Sequence, residues 1–164
     1  MQVWAPLVYE GPARALVHGL KYRSAAALAG PMAAQMAANA PPGLLGAPAT
    51  LVPVPLHPAR LRRRGFNQAE RLAVALAHRT GLAVCDCLER SGPATRQVGR
   101  DRSERMARTA LTVALRAGRP VPARVVLVDD VATTGATLAA CAAVLDAAGT
   151  RNITAVAFAR TPGR

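Results

Sequence analysis

The chain has 164 residues, of which 51% are hydrophobic and 18% charged; this suits one globular domain with a sizeable core and excludes a disordered or collagen-like chain. Aromatic residues make up only 3%, so the core must be built mainly from Ala, Val and Leu. The formal net charge of +12 points to anionic partners, nucleic acid or phosphorylated small molecules, without separating the two.

Met1-Gln2-Val3-Trp4 lacks the basic start and apolar run of a signal peptide. The small-residue stretch SAAALAGPMAAQMAANA carries Pro31, Gln35 and Asn39, which argue against a membrane span. The expectation is a cytoplasmic protein with no membrane insertion. From Pro12 to Tyr22, proline in the first turn and a stripe of Ala13, Leu16, Val17 and Leu20 predict a helix. Lys21 closes that stretch and is the only lysine in the chain, which makes it a candidate for a role arginine does not fill. Ser24 to Asn39 is helical in composition, with a break or kink expected at Pro31. NAPPGLLGAP, 39 to 48, reads as a loop.

TLVPVPL, 50 to 56, predicts a strand whose end or edge is marked by Pro53 and Pro55. Asn67-Gln68-Ala69-Glu70 has the form of a helix N-cap, and the helix behind it should bury Ala69, Leu72, Ala73 and Leu76 before Gly81 stops it. LAVCDCL, 82 to 88, is a second strand candidate. Cys85, Cys87 and Cys141 form no Cys-x-x-Cys pair, so reduced, partly buried thiols are expected and not a zinc site. Residues 90 to 108, RSGPATRQVGRDRSERMAR, are polar and read as a long mobile segment of the kind that is often functional. TALTVAL, 109 to 115, is a strand candidate. Val125 to Val128 predicts a strand buried on both faces, Gly135 to Ala148 a helix, and Ile153 to Phe158 a last strand. Strands alternating with helices imply a parallel α/β sheet.

VVLVDDVATTGAT, 125 to 137, carries the chemistry. Asp129 and Asp130 fall at the carboxyl end of the apolar strand, where α/β sheets bind ligands. The following residues lead into a helix N-terminus, whose unpaired N–H groups and dipole favour an anion. Thr133, Thr134 and Thr137 add hydroxyls, and Gly135 allows close approach of the backbone. A phosphate cradle beside two carboxylates able to accept hydrogen bonds from a vicinal diol describes a ribose 5-phosphate. The rival phosphate motifs fail on these residues: no Gly-x4-Gly-Lys-[Ser/Thr] and no helix-opening Gly-x-Gly-x-x-Gly occurs.

This stretch resembles the phosphoribosyl-diphosphate (PRPP) binding motif of type I phosphoribosyltransferases. YEGPARALVHGLKYRS, VPVPLHPARLRRRGFNQAERLA and TRQVGRDRSER resemble successive motifs of the ComF family, the competence-associated amidophosphoribosyltransferase-like proteins. The resemblance runs from about Tyr9 to Arg160. Many relatives carry a Cys-x-x-Cys zinc ribbon ahead of the Tyr-Glu-Gly stretch, which is not in this sequence. They also tend to have leucine at the position of Arg100, asparagine near Arg108 and an aromatic near Leu111.

The resemblance implies a type I phosphoribosyltransferase fold: a central parallel sheet flanked by helices, residues 50 to 164 forming the core and 1 to 49 a small N-terminal helical hood. It implies that Asp129 and Asp130 hold the ribose hydroxyls, with Mg²⁺ near them mainly through substrate and water. Ala132, Thr133, Thr134, Gly135, Ala136 and Thr137 would bind the 5-phosphate. His57, Pro58, Ala59, Arg60 and Arg64 would bind diphosphate, with Arg60 and Lys21 joining the two aspartates as catalytic residues. Gln97, Arg100, Arg102 and Arg105 would belong to a flexible loop spanning 93 to 108. The implied activity is transfer of phosphoribose from PRPP to a nitrogen acceptor of unassigned identity, releasing diphosphate. The alternative is a non-catalytic, PRPP-responsive module in DNA uptake that contacts single-stranded DNA or a partner of the competence machinery. A homodimer is common in this fold.

Overall fold

Val125, Val126, Leu127 and Val128 are buried, and they form the centre of a strand that runs from Arg124 to Ala132. Successive residues of a strand face opposite ways, so a strand apolar at every position must be covered on both sides. In the computed structural model, which describes residues 1–21, 23–91 and 112–162, this requirement sets the architecture.

In chain order the elements are β1 (Gln2–Trp4), β2 (Leu7–Val8), α1 (Gly11–Leu20), a 3-10 helix (Arg23–Leu28), α2 (Ala29–Asn39), β3 (Thr50–Pro53), α3 (Pro58–Arg64), α4 (Gln68–Thr80), β4 (Ala83–Val84), β5 (Leu88–Ser91), β6 (Thr112–Leu115), β7 (Arg124–Ala132), α5 (Ala136–Ala147) and β8 (Asn152–Arg160). The main sheet has the order β1-β8-β7-β3-β4, with β2 also paired to β8. Every pairing in it is parallel, and β7 sits between β3 and β8 with Val126 opposite Leu51 and Thr154. A second, two-stranded antiparallel sheet joins β5 to β6.

One face of the sheet presents Val126, Val128, Val156 and Phe158 to Leu20 of α1, Met32 and Met36 of α2, and Leu72 and Leu76 of α4. The other presents Val125, Leu127, Ala155 and Ala157 to Leu138, Cys141 and Leu145 of α5 and to Cys87 and Leu88. Complete burial of a side chain such as Phe158 contributes about 1.5–3 kcal/mol, and with so few aromatics the small Ala and Val side chains must fill the rest by close approach of helix to sheet. Among the described residues, no helix is long and apolar enough to cross a membrane.

α4 starts at Asn67, buries Ala69, Leu72, Ala73 and Leu76, and ends at Gly81 with φ 73, all as the pattern predicts. Pro31 does not break its helix. It lies in the first turn of α2, where its missing N–H has no intrahelical acceptor to lose. The change of geometry falls one step earlier, between the 3-10 helix and α2. LAVCDCL is not one strand: Ala83–Val84 pair with β3, the chain then leaves the sheet, and Leu88 begins the antiparallel ribbon. The stretch after β3 folds into helix α3. His57 Nδ1 accepts from the backbone N–H of Ala59 at 3.1 Å, Pro58 opens α3, and Gly65 closes it at φ 81.

β1 and β2 were not legible in advance. Gln2–Trp4 and Leu7–Val8 are too short for periodicity, and pairing with β8 makes them strands.

Candidate functional site

The carboxyl ends of β3 and β7 lie side by side, and Val54 N–H donates to Val128 O at 2.9 Å just beyond the last paired residues. β3 then ends, because Pro53 and Pro55 cannot donate to a ladder. Asn67 ties helix α4 to this point. Its Nδ2 donates to Val54 O at 2.9 Å, and its Oδ1 accepts from the Ala69 N–H at 3.1 Å. One side chain therefore caps α4 and fixes the helix start against the strand end.

A cavity of about 170 Å³ opens there. Asp129 and Asp130 enter it from β7, Thr137 from the first turn of α5, Arg60 and Arg64 from α3, and Lys21 from the end of α1. Gln68 and Asn67 come from the start of α4, and Arg90 from β5. Residues distant in sequence are thus gathered by the shared carboxyl end of the parallel strands.

Asp129 and Asp130 are both partly buried, and Asp129 Oδ1 accepts the Asp130 backbone N–H at 2.8 Å. Burial pushes the Asp129 carboxyl well above the usual carboxylate range, and the neighbouring Asp130 charge pushes it further; Lys21 opposes both. Arg90 is under the reverse pressure. Burial, then the nearby Arg60 charge, lower its affinity for its proton.

The remaining sequence-predicted residues are placed as follows. Ala132 is buried at the end of β7, Thr133 and Thr134 are exposed, and Gly135 sits at φ 73 as the N-cap of α5. The Ala136 N–H is 3.3 Å from Thr134 Oγ1, and glycine at the cap leaves no cap side chain for the later amides. Of this loop, Thr137 lines the cavity. His57, Pro58 and Ala59 form the start of α3 and serve its first turn, while Arg60 and Arg64 reach the cavity. Gln97, Arg100, Arg102 and Arg105 lie outside the described residues. Arg62 and Arg63 are exposed. Cys85, Cys87 and Cys141 are free thiols, and burial raises both Cys87 and Cys141 to about 12, which leaves them protonated and inert as nucleophiles near neutrality.

Sequence reasoning passed over Gln68 and Arg90. Gln68 lies within the family-like stretch ending FNQAERLA, where it follows the cap residue, and Arg90 opens the segment expected to be a mobile loop but belongs to strand β5; neither carried an assigned role.

Among the described residues no group of three His, Cys, Asp or Glu side chains is placed to hold a metal. Two carboxylates at a cation-rich cavity do suit Mg²⁺, which binds through one or two carboxylates together with phosphate oxygens and water.

The central parallel sheet flanked by helices is an α/β architecture consistent with a type I phosphoribosyltransferase-like fold. No family model matches the chain. It is 35% identical over 167 aligned positions to DNA utilization protein YhgH of Salmonella typhi and to that of Salmonella typhimurium, covering 96% of this chain and 73% of each relative. It is 34% identical over 109 residues to Competence protein ComFC of Streptococcus pneumoniae, covering 66% of this chain; that match spans about half of the relative, 47%. The chain belongs to the ComF family.

Proposed function

We propose that this chain binds PRPP in the cavity between β3, β7 and α5 and transfers its phosphoribosyl group to a nitrogen acceptor. The observation that carries the reading is the meeting of two adjacent carboxylates with Lys21, Arg60 and Arg64 in one cavity that also contains the first turn of α5. The carboxylates of Asp129 and Asp130 accept hydrogen bonds from the ribose hydroxyls. The loop from Ala132 to Thr137 binds the 5-phosphate at the helix N-terminus. As the bond from C1 to the diphosphate oxygen breaks, positive charge builds on the ribose and negative charge on the leaving group. Arg60, Arg64 and Lys21 stabilise the departing diphosphate, with guanidinium forks matching paired phosphate oxygens. The acceptor nitrogen forms the new bond to C1, so no side-chain nucleophile is needed. Mg²⁺, when bound, adds positive charge to the diphosphate, with Asp129 and Asp130 as its protein neighbours mainly through substrate and water. The names of the relatives support a role in competence and DNA uptake.

Calorimetric titration with PRPP, with and without Mg²⁺, tests the reading. Binding that strengthens with Mg²⁺ is expected, followed by diphosphate release when an amine or base is added. Absence of heat at millimolar PRPP would overturn it.

A second reading draws on the exposed Arg62 and Arg63 of α3 in a chain whose formal net charge is +12. Here the chain is a PRPP-responsive module that holds single-stranded DNA or a competence partner. Its signature is a DNA affinity that falls steeply with salt, reflecting several phosphate contacts, with no PRPP turnover.

A further inference from the structure

Two residues of the cavity have no part in the proposed chemistry so far, and both are costly where they stand. Gln68 is 3% exposed, yet its Nε2 has no hydrogen-bond partner in the protein. A buried donor without an acceptor costs about 1–3 kcal/mol, and folded proteins keep few of them. At the first turn of α4, with Ala69 and Leu72 carrying the packing, an apolar side chain of the same length would fill the space. Arg90 is the second. Among the described residues no carboxylate lies within ion-pair range of it, and the cation nearest to its guanidinium in effect is Arg60, which repels it. Asp129 and Asp130 share the cavity without pairing with Arg90.

An unpaired donor and an unpaired cation facing one cavity share a remedy, an oxygen anion between them. We propose that Gln68 and Arg90 contact the ligand directly and form a second arm of its anion site, donating to oxygens of the diphosphate from α4 and from the β5–β6 ribbon. This arm is separate from helix α3, which supplies Arg60 and Arg64. The ligand's identity rests on the PRPP reading; the arm itself rests on the orphaned amide and the unpaired guanidinium. Like charges held close are the usual mark of a site prepared for an anion, because the anion relieves the repulsion that the empty site bears.

The test uses inorganic diphosphate and ribose 5-phosphate as separate probes against the wild type, Gln68→Met and Arg90→Ala, read by calorimetry and by ligand-induced thermal shift. Gln68→Met keeps the side-chain length and removes the orphaned donor. It should leave the unliganded protein at least as heat-stable as the wild type while weakening diphosphate about tenfold. Arg90→Ala should weaken diphosphate by a similar or larger factor. Ribose 5-phosphate affinity should stay unchanged in both. If diphosphate binds the variants as it binds the wild type, the second arm is overturned, and the PRPP reading stands if both probes bind. If the wild type binds diphosphate but not ribose 5-phosphate, and the variants lose diphosphate, the arm stands and the ribose reading falls. If Gln68→Met instead lowers the melting temperature and leaves diphosphate binding intact, Gln68 is a packing residue and the assignment is wrong. If the wild type binds neither probe, both proposals fall.

Discussion

Asp129 Oδ1 accepts the backbone N–H of Asp130 at 2.8 Å, so the first carboxylate of the pair is held by the main chain of the second. The bond orients Asp129 but does not offset what its position costs. Burial and the Asp130 charge both disfavour its ionised form.

That cost should be visible as a function of pH. The folded carboxyl of Asp129 is raised above its unfolded value of about 3.9. The stability tied to its protonated form is therefore fully present below about pH 4 and is lost as pH rises through the folded pKa. Asp129→Asn keeps an oxygen able to accept the Asp130 N–H and removes the charge. Thermal melts should find the variant and the wild type alike below about pH 4. Above it the variant should become progressively more stable, levelling off once the wild-type carboxyl is ionised in the folded state. Equal melting temperatures across the whole range would show that the position carries no electrostatic cost.

The same cost implies a function for the charge. Asp129→Asn combined with Asp130→Asn should abolish PRPP binding while the protein stays folded, because the pair lies beyond the buried Val125 to Val128 run and fills no core space. Calorimetry with PRPP and Mg²⁺ checks binding, and circular dichroism checks folding. A double variant that binds like the wild type would place the ribose elsewhere.

Asn67 joins two elements, so its loss should be felt twice. Asn67→Ala removes the cap on Ala69 and the bond to Val54 O. The cap alone is worth about 0.5–2 kcal/mol, to be read from the denaturant midpoint. Asn67→Asp retains the cap acceptor and loses the donor to Val54 O. It should recover part of the stability yet still weaken ligand binding, since the strand end and the start of α4 line the same cavity.

Gly135 stands at φ 73 as the N-cap of α5, and a Cβ added there would meet nothing within 4 Å. Space is not the constraint; backbone conformation is. Gly135→Ala should cost about 1–2 kcal/mol through the left-handed geometry and should weaken ribose 5-phosphate more than diphosphate, because the loop it shapes is the proposed 5-phosphate cradle. Parallel titrations with the two ligands measure the difference.

What the sequence determined by itself was whatever local pattern and local chemistry decide. The continuous apolar run from Val125 to Val128 had to be a strand covered on both faces, and α4 had to begin at Asn67, bury one stripe and stop at Gly81. The two aspartates toward the carboxyl end of the strand, before a glycine-capped helix, marked the candidate site, because strand direction and helix start together place them at the carboxyl end of the parallel strands. Tertiary structure alone decided the rest. β1 and β2 exist because β8 offers them a partner, and the Leu82 to Leu88 run divides because Ala83 and Val84 pair with β3 while Leu88 pairs with β6. Nothing local gives Gln68 or Arg90 a ligand role. The orphaned Gln68 amide and the Arg90 guanidinium acquire meaning only when α4 and β5 bring them to the cavity of Asp129 and Asp130 on β7, and no spacing along a sequence encodes that distance in space.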